Sequence, residues 1–182
     1  MDLVFILDLS GSLSNLYDLS IEFMTTVIYG LPMHAGRARI ALITYANSAK
    51  VEFYLNTYQS KQEVLNALSF RAAGRKTNTQ EAINRAYSDV FSSGRGDRSG
   101  VDNIAIIITD GKSNGNTKDT VNAANRARQN HIEVFVAATS NRANMGEVQG
   151  IANDPDNSHV VSLNSKGEAQ SAANRILNQL CD

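Results

Sequence analysis

Apolar residues in this chain come in two rhythms, and the alternation between them predicts the architecture. Short unbroken runs occur at Leu3-Val4-Phe5-Ile6-Leu7, Ile40-Ala41-Leu42-Ile43-Thr44-Tyr45 and Ile104-Ala105-Ile106-Ile107-Ile108-Thr109. Runs of this length bounded by turn residues read as strands buried on both faces, as in a parallel sheet. Between them the spacing changes to steps of three and four. Tyr17, Ile21, Met24, Ile28 and Leu31 mark one helical face, ended by Gly30 and Pro32. Val51, Phe53 and Leu55 alternate with polar neighbours, which predicts a half-exposed strand. The gap from Ala46 to Ala49 is too short for a helical crossover, so that strand pairs antiparallel with the one before it.

The remaining segments repeat the alternation. A short helix is expected over 60–68 and another after Thr79, carrying Ala82-Ile83, Ala86-Tyr87 and Val90-Phe91. Ser92 to Gly100 reads as a loop. After the strand ending at Thr109, a helix from about Asp119 to Asn130 precedes a strand from Glu133 to Ala138. A helix from Met145 to Ala152 precedes a short strand from His159 to Ser162. A last helix has Ala169, Ala172-Ala173, Ile176-Leu177 and Leu180 on its inner face. The expectation is an α/β, doubly wound, Rossmann-like sheet of six strands in the order 3-2-1-4-5-6. It is mostly parallel, with one antiparallel edge strand and helices on both faces.

Length and composition narrow this picture without changing it. The 182 residues suit one domain, 1–182, and 42% hydrophobic with 19% charged is ordinary for a globular chain. A net charge of −1 gives no support for nucleic-acid binding, and no apolar run is long enough for membrane insertion. The first strand begins directly at the N terminus, which reads as a domain excised from a larger protein. The single cysteine, Cys181, cannot form an internal disulfide. It is either an unpaired thiol or half of a bridge to a residue outside this sequence.

Candidate chemistry lies at the strand ends. Asp8-Leu9-Ser10-Gly11-Ser12 follows the first strand and Asp110-Gly111 follows the strongest later one. In the expected strand order these two strands are neighbours at the switch point, where open α/β sheets bind ligands. Two carboxylates brought together there repel unless a cation lies between them. The hydroxyls of Ser10, Ser12 and Thr77 complete a set of hard oxygen donors suited to Mg²⁺, Mn²⁺ or Ca²⁺. No His or Cys lies near these motifs, which argues against zinc.

Asp8-x-Ser10-x-Ser12, Gly74-Arg75-Lys76-Thr77-Asn78-Thr79 and Ile108-Thr109-Asp110-Gly111 resemble the three parts of a metal-ion-dependent adhesion site. Across its whole length the chain is similar to von Willebrand factor type A domains, of the kind found in matrilins, collagen VI, integrin inserted domains and invertebrate byssus or shell matrix proteins. The resemblance implies direct metal coordination by Ser10, Ser12 and Thr77, with Asp8 and Asp110 binding directly or through water. It implies Mg²⁺, or Mn²⁺ or Ca²⁺, as cofactor. It also implies a non-enzymatic, extracellular, secreted module that docks a carboxylate of a protein partner, such as collagen or another matrix protein, on the metal. Arg75, Lys76, Asn78 and Lys112 would form the rim that meets the partner. The alternative is a structural matrix-assembly module whose metal mainly stabilises the fold.

Enzyme readings fail on spacing. A haloacid-dehalogenase-type phosphatase needs an acid two residues after its first Asp, where this chain has Ser10. Gly74-Arg75-Lys76-Thr77 lacks the spacing of a phosphate loop, and no Gly-x-Ser-x-Gly elbow exists. Gly94 to Gly100 precedes a strand, not a helix, so it is no dinucleotide fingerprint. Arg95-Gly96-Asp97 matches an integrin-recognition tripeptide, but a polar turn between helix and strand explains it more simply. His34, His131 and His159 are scattered and read as surface or strand-edge residues.

Overall fold

The structure, a computed structural model, describes residues 1–11, 16–70, 73–74, 76–140 and 143–181. Its centre is a six-stranded sheet made of β1 (Asp2–Asp8), β2 (Arg39–Tyr45), β3 (Ala49–Phe53), β4 (Asn103–Thr109), β5 (Ile132–Ala138) and β6 (Val160–Ser162). The order is β3-β2-β1-β4-β5-β6, parallel throughout except for β3, which runs antiparallel to β2. The fold class expected from the hydrophobic pattern is the one observed.

Central strands are buried on both faces, so successive residues of one strand enter different cores. From β1, Leu3, Phe5 and Leu7 point into one cluster and Val4 and Ile6 into the other. The first cluster is closed by α1 (Tyr17–Gly30), α2 (Lys61–Asn66) and α7 (Lys166–Cys181), through residues such as Phe23, Val27, Val64, Ala173 and Ile176. The second is closed by α3 (Thr79–Arg85), α4 (Thr117–Gln129) and α5 (Met145–Ile151), through Ala82, Ile83, Ala123, Ala124, Val148 and Ile151. Helices that follow a parallel strand start at the sheet's C-terminal edge, whereas α2, after the antiparallel β3, starts at the opposite edge. Asn78, Asn116 and Asn144 cap α3, α4 and α5 with side-chain oxygens, satisfying backbone N–H groups that the helices cannot pair internally.

Three boundaries differ from the sequence reading. The ladder between β2 and β3 shifts register between Leu42 and Ile43, and β3 ends at Phe53, yet Leu55 beyond it is still fully buried. The helix after Thr79 widens into one π turn over Ala86–Val90, which brings Asp89 within 3.0 Å of the Tyr54 hydroxyl. His159 ends a short helix, α6 (Asp156–His159), instead of opening β6. Its ring is buried against Phe135, with Nδ1 3.1 Å from the Pro155 carbonyl and Nε2 3.0 Å from Glu133.

At the opposite, N-terminal edge, Arg98 clamps the start of β1. Its guanidinium donates to the fully buried Asp2 carboxylate at 2.9 and 2.6 Å, and to the carbonyls of Met1, Gly36 and Arg37. The Arg95-Gly96-Asp97 turn lies in the same region and is packed on its own domain. Arg95 stands 4.2 Å over the Tyr54 ring and pairs with Asp89, while the Gly96 carbonyl accepts from Arg39 at 2.6 Å. Asp97 Oδ1 is buried and meets no donor among the described residues. The turn is therefore packed through Gly96 and Asp97, while the Arg95 side chain stays exposed. Among the described residues no helix is long and apolar enough to cross a membrane.

Candidate metal centre

Four of the five residues expected to hold a cation converge at the C-terminal edge of β1 and β4; the fifth, Ser12, lies outside the described residues. Asp8 closes β1, next to β4, where Leu7 faces Ile108 in register. The chain leaves the sheet at Leu9, whose N–H donates to the Tyr45 carbonyl at 2.7 Å. Residues 73–74 then run alongside. Ala73 N–H donates to the Leu9 carbonyl at 3.0 Å and Gly11 N–H to the Gly74 carbonyl at 2.8 Å, while Ser10 and Gly74 form a parallel bridge. This contact, between residues more than sixty apart in sequence, carries Thr77 to the Asp8 strand end. Gly74 makes the approach possible, because a Cβ there would lie 2.8 Å from Asn47 Oδ1 and 3.2 Å from Ala46 Cβ.

Thr77 is fixed from both sides. Lys76 N–H donates to Asn47 Oδ1 at 3.0 Å and Asn78 N–H to the Ala46 carbonyl at 2.8 Å. Thr77 N–H donates to Asn114 Oδ1, and Asn114 N–H returns a bond to the Thr77 carbonyl at 3.0 Å. Asn114 thus ties the Thr77 loop to the loop that follows Asp110. That second loop turns sharply at Gly111, whose φ is +66°, a left-handed conformation that glycine adopts without Cβ strain. A Cβ at Gly111 would also lie 2.8 Å from Val148 and 2.9 Å from the Asn144 carbonyl.

The two carboxylates share one end of the sheet and are both buried, Asp8 at 0% and Asp110 at 3% exposure. Asp8 Oδ1 accepts the Ser10 N–H at 2.8 Å, and Oδ2 accepts the Thr109 hydroxyl at 3.4 Å. That hydroxyl in turn accepts the Gly111 N–H at 3.1 Å, so it has its proton to give to Asp8. Asp110 Oδ1 accepts the Lys112 N–H at 3.1 Å, and the Lys112 ammonium stands 3.7 Å from Oδ2. Burial pushes the Asp8 carboxyl up from 3.8 to about 6; hydrogen bonds from Ser10 oppose the rise and the charge of Asp110 adds to it. Tyr45, wholly buried beneath the site, has its phenol pushed well above its usual range by the same burial.

This donor set fits a divalent cation. Two buried carboxylates at one strand edge call for compensating positive charge; Lys112 supplies part of it to Asp110, and a cation between the two would supply the rest. Ser10 and Thr77, at 1% and 5% exposure, add hydroxyls to the same edge. Among the described residues no group of three or more His, Cys, Asp and Glu side chains is placed to hold a metal, so the donors here are two carboxylates and hydroxyls. All are hard oxygens, suited to Mg²⁺, Mn²⁺ or Ca²⁺.

Of the expected rim, Lys76 and Lys112 are exposed. Asn78 is committed to capping α3 and to a 2.9 Å bond with Glu81, so less of it is open to a partner. Arg75 lies outside the described residues. A cleft of 250 Å³ beside Thr77 is lined by Asn47, Lys76, Asn78, Asn114 and Gly115. Sequence reasoning missed Asn47 and Asn114, which hold the site without belonging to its motifs, and gave no role to Thr109 within its motif. Only the polar character of their loops pointed to them.

The sequence profile of the von Willebrand factor type A domain matches residues 2–175. Mouse (Mus musculus) matrilin-3 is 33% identical over 188 residues, covering 100% of this chain and 38% of that protein. Bovine (Bos taurus) integrin alpha-2 is 28% identical over 190 residues, covering 99% of this chain and 16% of that protein. The chain therefore spans well under half the length of these relatives. Among solved structures, proximal thread matrix protein 1 from the mussel byssus, with a zinc-occupied MIDAS motif, superposes with a TM-score of 0.88. It is 19% identical, over 99% of this chain and 48% of that one.

Proposed function

The chain belongs to the von Willebrand factor type A domain family, and from that premise we propose that it is a divalent-cation-dependent protein-binding module of an extracellular matrix or cell-surface protein. The observation that carries the reading is the pair of buried carboxylates, Asp8 and Asp110, at neighbouring strand ends with the Ser10 and Thr77 hydroxyls. Asp8, Ser10, Thr77 and Asp110, together with Ser12, would hold Mg²⁺, or Mn²⁺ or Ca²⁺. When bound, the cation supplies positive charge that attracts a carboxylate of the partner. Lys76 and Lys112 present a basic rim that favours an acidic partner and speeds its approach, to which Arg75 would add its charge. Matrilin and integrin relatives support a partner among matrix proteins, collagen included, and a secreted location. The mussel byssus structure supports a divalent ion at such a motif. The role proposed is adhesion, not catalysis, in keeping with the matrilin and integrin relatives.

The experiment is binding to immobilised fibrillar collagens and other matrix proteins in Mg²⁺ and in chelator. Asp110→Ala should stay folded, since its side chain faces the crevice and not the core, and should lose binding. Thr77→Ala, which deletes one neutral donor, should lose less. Undiminished binding by folded Asp110→Ala would show that the partner docks elsewhere. A second reading, structural assembly with the metal serving stability, rests on the same buried charges. It predicts that chelation lowers stability and leaves partner binding by the still-folded protein intact.

A further inference from the structure

We propose that Glu147 is a positioning residue for the metal centre: its buried carboxylate fixes the segment from Asp110 to Thr117 and so sets where Asp110 and Thr77 stand. The proposal rests on the metal reading above and extends it to a residue that none of the three motifs contains.

Glu147 is 1% exposed, in the first turn of α5. Its own backbone N–H is used by the Asn144 cap. Its side chain does not turn back to that cap. It crosses to the loop after β4, where Oε1 accepts the Ser113 N–H at 3.2 Å and Oε2 accepts the Ser113 hydroxyl at 2.7 Å and the Thr117 hydroxyl at 2.9 Å. The Thr120 hydroxyl, also buried, donates to Ser113 Oγ at 3.2 Å and completes the network. Three hydrogen bonds converge on this one side chain, and bonds to a carboxylate are roughly twice as strong as neutral ones.

The residues gripped explain the consequence. Ser113 sits between Lys112, whose N–H binds Asp110, and Asn114, which pairs with Thr77. Asn144, three residues before Glu147, donates its N–H to the Asp110 carbonyl at 3.0 Å. One end of α5 therefore holds Asp110 by its backbone and holds the following loop by the Glu147 carboxylate. Asn114 passes the constraint on to Thr77. Partners that orient metal ligands in this way typically change metal affinity by roughly 10–100-fold when removed.

The test measures Mn²⁺ affinity by electron paramagnetic resonance and, separately, hydrogen exchange of the metal-free protein. Glu147→Ala should weaken Mn²⁺ binding by roughly 10–100-fold and should speed exchange at Ser113, Asn114 and Thr77. Glu147→Gln should bind Mn²⁺ close to the wild-type value. Its amide oxygen still accepts from Ser113 N–H, and the two hydroxyls can turn to accept from its NH₂. Arg98→Met, at the other end of the sheet, should lose stability while keeping its Mn²⁺ affinity, which separates positioning from general weakening. Should Glu147→Ala not fold, Ser113→Ala removes the hydroxyl contact from the loop side and must show a smaller loss of affinity. Wild-type Mn²⁺ binding with unchanged affinity in Glu147→Ala, or in Ser113→Ala where that variant replaces it, overturns this proposal alone. No Mn²⁺ binding by the wild type overturns the metal reading and this proposal with it.

Discussion

Asp8 should make the metal-free protein lose stability as pH rises, opposite to ordinary acid denaturation. Its carboxyl is fully buried and titrates near 6 in the folded chain, against 3.8 when solvated. Below about pH 4 it is protonated in both states and contributes nothing. Between about pH 4 and 6 the unfolded chain releases this proton while the folded chain keeps it, so unfolding gains steadily. A gap of roughly two pH units at about 1.4 kcal/mol each gives about 3 kcal/mol lost by pH 7. A bound divalent cation compensates the ionised carboxylate, so Mg²⁺-loaded and chelated protein should have equal stability near pH 4 and diverge up to pH 7. Asp8→Asn isolates the group. It keeps an oxygen for the Ser10 N–H and removes the charge, and the Thr109 hydroxyl can rotate to accept from the new amide. In chelator, urea unfolding should show Asp8→Asn more stable than wild type by up to about 3 kcal/mol near pH 7, and equal to it near pH 4. It should no longer respond to Mg²⁺. Chelated wild-type protein as stable as Asp8→Asn at pH 7 would refute the argument, because burial would then carry no penalty for the charge.

Two further outcomes follow from the same structure. Metal at one hundred times its Kd should add about 2.7 kcal/mol, a rise of about 5–10 °C in melting temperature for a chain of this size; identical melts in Mg²⁺ and chelator would contradict it. Arg98→Met strips the buried Asp2 carboxylate of its guanidinium and should lower urea stability by about 3 kcal/mol. Adding Asp2→Asn should recover part of that loss, and a purely additive double mutant would show the pair to be uncoupled.

Layers, strand order and the candidate ligands were all legible in the order of the amino acids. Strands such as β4 (Asn103–Thr109) are apolar on both faces, and only a sheet covered on two sides can bury them. The hydrophobic period of the helices indicated their inward side only in part. In α1 it picked out Met24 and Ile28, but Phe23 and Val27 are fully buried where Tyr17 and Ile21 are half-buried. Asp8 and Asp110 were legible because each interrupts an apolar run at its end, where the switch point of an open sheet must lie. Tertiary structure alone decided how the site is held. The crossing of residues 73–74 over Leu9 and Gly11, the Asn114–Thr77 pair and the reach of Glu147 to Ser113 join segments far apart in the chain. Asn144-x-x-Glu147 reads locally as a helix start, and nothing in it shows that the carboxylate leaves its own cap for another loop. The left-handed turn at Gly111 and the burial that lifts Asp8 are also products of packing. Periodicity reports which face of an element is buried, whereas hydrogen bonds between loops depend on where separate elements bring their ends together.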